Sequence, residues 1–245
     1  MKGEVRLHYC FTTAMDFARR ERDCLPRLHA EEQRRYATLS SAKRRLEWLA
    51  GRVLLLNALD QIEGMTDPLA LRTNADGKTE YTMNPDVHLS VSHSRGLVAV
   101  ALADAPLGMD VEQVRERELV RQAHRIFATA EATHLDALAG AERLSRFYDY
   151  WTLKEALCKA TGTALLAGLI GFQFDLRDPQ APRASAGVVA TGGPWQFWSG
   201  GLPGGWRAAV ALRAVRGKDA LVIWESFPNA KPAARILEGM LSFAG

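Results

Sequence analysis

The spacing of apolar and polar positions changes along the chain, and each change marks an element. Val5, Leu7 and Tyr9 alternate with Arg6 and His8, which predicts a strand with one buried face. From about Glu31 to Ile62 the spacing becomes helical. Leu39, Leu46, Leu49, Val53 and Leu56 recur at three- or four-residue steps or their sum, and Gly64 and Pro68 end the run. Residues 74–86 are rich in turn formers. Val87, Leu89 and Val91 then alternate with His88, Ser90 and Ser92, a strand that runs into Ser92-His93-Ser94. Arg95-Gly96 turns the chain, and Leu97 to Ala103 reads as the returning strand.

The pattern breaks at Ala105-Pro106 and starts again. A short strand covers Leu107 to Val111. Helical spacing covers about Glu116 to Phe127, Ala130 to Leu138 and Ala141 to Ala160, with Gly162 at the end of the last. Phe172 to Trp224 is rich in glycine, aromatic and β-branched residues and predicts several strands. A closing amphipathic helix is expected over Ala233 to Phe243. The expected architecture is α+β, with two similar halves related by a pseudo-twofold, each a small antiparallel-type sheet packed on a long helix. The expected halves are residues 1–105 and 106–245.

Composition narrows the class. Of 245 residues, 47% are hydrophobic and 24% charged, the balance of a soluble globular protein. Met1 to His8 is interrupted by charge and lacks the apolar core of a signal peptide, and Leu97 to Ala103 is too short to span a bilayer. Three scattered cysteines fit neither a disulfide framework nor a zinc site, so a cytoplasmic protein without membrane contact is expected. Net charge is only +3, but Arg27 to Arg52 holds seven basic residues against three acidic ones. That excess suits an anionic ligand or an acidic partner; a solvated helix face reads the same way.

Four groups of residues carry chemistry. In Gly108-Met109-Asp110-Val111-Glu112, Asp110 and Glu112 share one face of a strand. Two carboxylates that close repel unless a cation or proton separates them, and magnesium is a natural resolution. A pair of surface acids is the plainer alternative. Trp151, Glu155 and Lys159 share a helix face, as a metal and phosphate site or as an ordinary ion pair. Ser92-His93-Ser94 does not suit serine catalysis, because Ser92 and His93 point to opposite sides of a strand; holding phosphate oxygens fits better. Arg44, Trp48 and Arg52 lie four apart, two guanidiniums flanking an indole, and arginine is the preferred phosphate partner.

Together and in this order, these pieces resemble the Sfp-type 4′-phosphopantetheinyl transferases. The resemblance spans Arg35 to Gly162. It comprises the Gly51-Arg52 helix, the Gly77-Lys78 turn, Ser92-His93-Ser94, Gly108-x-Asp110-x-Glu112 and Trp151-x-x-Lys154-Glu155-Ala156-x-x-Lys159-Ala160-x-Gly162. It implies an enzyme that transfers 4′-phosphopantetheine from coenzyme A to a serine of an apo acyl or peptidyl carrier protein, releasing 3′,5′-ADP. Asp110, Glu112 and Glu155 would hold Mg²⁺. Lys154 and Lys159 would lie near the pyrophosphate, and Lys78, Ser92, His93, Arg44 and Arg52 near the adenosine 3′-phosphate. Glu131, with Glu155 and Lys159, would belong to the catalytic set. The chain departs from the pattern at Thr79, where proline is usual, at Ser90, where asparagine is usual, and at Glu32, where some relatives have lysine. A monomer is expected, acting on no nucleic acid, with the carrier docked across the cleft between the halves near Phe127 to Leu138. A metal-dependent phosphodiesterase and a non-catalytic carrier-binding relative are the rival readings.

Overall fold

A computed structural model of the chain describes residues 4–63, 67–75, 77–178, 183–184, 186–189, 193–213, 221–226 and 241–244. Its contacts divide the chain into two compact units. One comprises Met1–Ala105 with Leu221–Arg235, the other Pro106–Ala220 with Ile236–Gly245. Each pairs a four-stranded sheet with a 22-residue helix, an α+β arrangement.

The first unit runs β1 (Glu4–Phe11), α1 (Phe17–Cys24), α2 (Ala30–Thr38), α3 (Ala42–Glu63), β2 (Leu71–Thr73), β3 (Thr79–Tyr81), β4 (His88–Ser94) and β5 (Leu97–Ala103). Its sheet has the order β11-β1-β5-β4, where β11 is Leu221–Ser226. β1 pairs antiparallel with β5 but parallel with β11, so this sheet is mixed, where an antiparallel type was expected. Being flanked on both edges, β1 buries His8 and Cys10 as well as Val5 and Leu7, and leaves Tyr9 half-buried. The single helix expected over Glu31–Ile62 is two helices. Leu39 turns extended, the Ser41 carbonyl accepts the first bond of α3 from the Arg45 amide, and Arg45 Nε donates to the Leu39 carbonyl at 2.7 Å. Serines at 40 and 41 favour such a break because they stabilise helix starts better than helix interiors. Gly64, expected to end the run, lies outside the described residues. Leu54, Leu55, Ala58 and Leu59 of α3 pack on Val98, Val100 and Leu102 of β5. Arg95 (φ 44°) and Gly96 (φ 90°) form a two-residue hairpin turn, which needs positive φ at both positions.

The second unit runs β6 (Leu107–Gln113), α4 (Glu118–Arg121), α5 (Ala123–Ile126), α6 (Thr129–Asp136), α7 (Gly140–Thr161), α8 (Leu165–Gly171), β7 (Phe174–Asp175), β8 (Arg183–Ala184), α9 (Ala186–Val189), β9 (Trp195–Leu202) and β10 (Trp206–Arg213). With β12 (Leu241–Ala244) its antiparallel sheet has the order β12-β9-β10-β6. The helix expected over Glu116–Phe127 is interrupted at Gln122, and α8 was not expected. The closing helix expected over Ala233–Phe243 lies mostly outside the described residues, and its last positions belong to β12, paired with β9. Helix α7 lies across β6, β10 and β9 and buries every residue from Phe147 to Lys154, so it is a core helix rather than an amphipathic one. Large aromatic side chains, among them Phe147, Tyr150, Phe174 and Phe197, fill the core around it.

Candidate active site

Gly108 decides how α7 meets β6. A Cβ there would lie 2.0 Å from the Ala156 carbonyl oxygen and 2.6 Å from the Ala160 amide nitrogen. Only a residue without a side chain lets the helix backbone rest on the strand. That contact brings the last turns of α7 against Asp110. Lys159 Nζ lies 2.8 Å from Asp110 Oδ1 and 3.2 Å from the Met109 carbonyl. Asp110 is 4% exposed. Burial, reinforced by the charges of Asp110 and Glu112 and opposed by Lys159, pushes the Glu155 carboxyl up to about 7. Glu155 therefore feels the charge of both other carboxylates named from sequence. Glu112 is paired with the Arg117 guanidinium at 2.6 Å. Among the described residues no group of three His, Cys, Asp or Glu side chains is gathered as a metal site. Lys159 and Arg117 now supply countercharge to Asp110 and Glu112. The donor set itself, three hard oxygen ligands under mutual repulsion, fits a hard divalent cation.

Lys154 and Glu131 do not join this site. Lys154 is fully buried and donates to Glu131 Oε2 at 2.6 Å and to the carbonyls of Leu169 and Phe172. Those three bonds use every proton of an ammonium. Glu131, 1% exposed, also accepts from the amides of Ala128 (3.1 Å) and Phe174 (2.8 Å). The expected pyrophosphate contact of Lys154 and the expected catalytic role of Glu131 are thus corrected: both groups are enclosed and occupied.

The first unit holds a cleft of about 420 Å³ lined by Arg35, Arg44, Glu47, Trp48, Arg52, Thr73, Gly77, Thr79 and His93, among others. Arg44, Arg52 and His93 were expected there. Lys78 and Ser92 were expected too, but do not line it. Gly77 and Thr79 face the cleft where Lys78 between them does not, and the Lys78 charge helps lower the pKa of His88, after burial. Ser92 is 4% exposed, while its neighbours Val91 and His93 face the cleft, as strand alternation requires. His93 Nδ1 lies 3.3 Å from Glu47 Oε2.

Arg52 is not an open phosphate ligand. Its guanidinium is 5% exposed, pairs with Glu32 Oε2 at 2.6 Å, donates to Thr73 Oγ1 at 2.8 Å and stacks over Trp48 at 4.5 Å. The glutamate at position 32 neutralises it. Arg35 and Arg44 have no ion-pair partner among the described residues and bring the uncompensated positive charge of the cleft. Arg35, Glu47 and Thr73 were not picked from sequence. The basic excess of Arg27–Arg52 was the one hint of Arg35, and nothing local marks Thr73.

The family match falls on the stretch that holds the carboxylates and Lys159. Residues 106–211 match the 4′-phosphopantetheinyl transferase superfamily. The resemblance read from the motifs is therefore shown for that stretch. Among curated relatives, the 4′-phosphopantetheinyl transferase psf-1 of Bacillus pumilus is 29% identical over 145 residues, 59% of this chain and 60% of the relative. AcpT of Salmonella typhimurium is 33% identical over 121 residues, 49% of this chain and 60% of the relative. The 4′-phosphopantetheinyl transferase of Bacillus subtilis is 28% identical over 161 residues, 60% of this chain and 71% of the relative. The chain thus spans about three-fifths of the length of the first two relatives.

Proposed function

We propose that this protein transfers the 4′-phosphopantetheine group of coenzyme A to a serine hydroxyl of an apo acyl or peptidyl carrier protein, releasing 3′,5′-ADP. The observation that carries the reading is the seating of α7 on Gly108, which sets Glu155 and Lys159 against Asp110 within the superfamily match. Asp110, Glu112 and Glu155 would hold Mg²⁺, with the pyrophosphate of coenzyme A sharing the ion. A bound Mg²⁺ supplies positive charge to the pyrophosphate oxygens.

The chain's own groups do the rest. Lys159 offers an ammonium where negative charge builds on the leaving 5′-phosphate of 3′,5′-ADP. The serine oxygen bonds to the β-phosphorus as the bond to the bridging oxygen breaks, and the serine proton passes to a carboxylate of the Asp110, Glu112 and Glu155 set. Arg35 and Arg44 bind the 3′-phosphate, with His93 beside them, while Arg52 holds the cleft wall. We assign nucleotide binding to the first unit, and metal binding and carrier recognition to the second. We take the protein to act as a monomer. No helix among the described residues is long and apolar enough to cross a membrane, and Cys10, Cys24 and Cys158 are buried free thiols, which fits a reducing cytoplasm.

Intact-mass spectrometry of apo carrier proteins with coenzyme A and Mg²⁺ tests the reading. One phosphopantetheine mass should appear on the carrier serine and disappear with EDTA. Coenzyme A cleaved without any carrier gain would instead mark a phosphodiesterase. Absence of both carrier gain and coenzyme A binding would refute the proposal.

A further inference from the structure

Two enclosed groups of the second unit are left without a part in this chemistry. The Lys154 ammonium meets the last carbonyls of α8, at Leu169 and Phe172, and the Glu131 carboxylate meets the first turn of α6 at the Ala128 amide. The negative end of one helix is thus joined to the positive end of another through one ion pair. Glu131 also holds the Phe174 amide at the start of β7, and Lys154 lies 5.1 Å from the Phe127 ring centroid. Four segments converge on α7 at one residue, which is the neighbour of Glu155.

Earlier on α7, Asp149 accepts from Ser199 and Arg207 and Tyr148 donates to the Arg115 carbonyl, while the other contacts next to Glu155 are apolar or backbone packing, through Leu153, Leu157 and the Gly108 seat under Ala156. Apolar packing is non-directional and tolerates small rotations of a helix about its axis; an ammonium bound to three fixed acceptors does not. Successive helical residues diverge by a fixed angle, so fixing Lys154 fixes Glu155 and, one turn on, Lys159.

We propose that the buried Glu131–Lys154 pair is a positioning device that sets the rotational phase of α7, and thereby aims Glu155 and Lys159 at Asp110. It rests on the functional reading above only for what the aimed groups do. The pair touches no reacting atom. Outer partners of this kind change metal affinity or activity by roughly 10–100-fold when removed.

The test uses the full chain and the double variant Glu131→Leu/Lys154→Met, which replaces the pair by apolar side chains and leaves no lone buried charge. Glu131→Gln is read in parallel in case the double variant does not fold. Three quantities are measured on protein that retains its circular dichroism: acetic anhydride labelling of Lys159 by peptide mass spectrometry, Mn²⁺ affinity without coenzyme A, and turnover. The expected result is increased labelling of Lys159, released from Asp110, with Mn²⁺ affinity and kcat both lowered roughly 10–100-fold. Unchanged labelling, affinity and turnover would overturn the proposal in favour of a pair that serves stability alone. Lost turnover with unchanged labelling and Mn²⁺ affinity would overturn it in favour of direct catalysis. If the unaltered protein neither transfers phosphopantetheine nor binds Mn²⁺, the functional reading fails, and the labelling of Lys159 still decides the positioning role.

Discussion

Both units bury an ion pair between the long helix and a glutamate of the preceding helix. In the first, Arg52 of α3 meets Glu32 of α2; in the second, Lys154 of α7 meets Glu131 of α6. The pairs differ in what is left over. A guanidinium has five donors in a planar fork, so Arg52 can bond Glu32 and Thr73 and still form part of a cleft wall. An ammonium has three, and Lys154 spends all of them inside the core. The same device therefore leaves a ligand-facing surface in one unit and an interior lock in the other. In both, the proposed binding residues are other side chains of the unit: Arg35 and Arg44 in the first, Glu155 and Lys159 in the second.

The largest expected effect is in the second unit, at the partner of Lys159. Asp110→Ala should lower transfer at least roughly 100-fold, the scale on which one charge-stabilising group acts, while leaving the fold intact. Carrier mass spectrometry beside circular dichroism checks both parts, and an active variant in Mg²⁺ would remove Asp110 from the site. Next come the pairs. Arg52→Ala leaves Glu32 buried and alone and should cost about 3–5 kcal/mol in urea unfolding. Its KM for coenzyme A should track that for dephospho-coenzyme A; a selective rise for coenzyme A would return Arg52 to the phosphate site.

Gly108→Ala sharpens the contrast from the packing side. The added methyl meets the Ala156 carbonyl, so ~1–3 kcal/mol of stability should be lost through overpacking, together with transfer activity. The matching change in the first unit is smaller. Arg44→Ala should raise the KM for coenzyme A roughly tenfold, as for one charge-assisted hydrogen bond, and leave dephospho-coenzyme A unaffected. At neutral pH the smallest difference is in acid sensitivity. Burial, with the Arg6 charge, lowers the pKa of His8 from its ordinary value of 6.5 to about 4. Between those values the unfolded chain takes up a proton that the folded chain refuses. Stability of the first unit should therefore fall as pH drops from 6.5 towards 4, and stay level in this respect above 6.5. Hydrogen exchange of β1 and β5 across that range measures it; flat protection would mean that His8 accepts its proton in place.

The pairing of the candidate residues of the second unit was legible in the sequence because it is local. Asp110 and Glu112 sit two apart on a strand, and Glu155 and Lys159 four apart on a helix, so backbone periodicity alone puts each pair on one face. The Arg95-Gly96 turn was legible for the same reason, being written in two adjacent residues, whereas the break of the first long helix, α8 and the grouping of Leu221–Arg235 with the first unit were not. Tertiary structure decided what depends on residues far apart. It turned Arg52 from a ligand into a buttress by bringing up Glu32, 20 positions away, and enclosed Lys154 by bringing up Glu131 and two carbonyls beyond Gly162. It drew Arg35 into the cleft and left Lys78 and Ser92 off its wall. A charged side chain looks the same in sequence whether it will face a ligand or a buried counter-ion. The partner that decides comes from another segment, and only the folded chain brings the two within hydrogen-bonding distance.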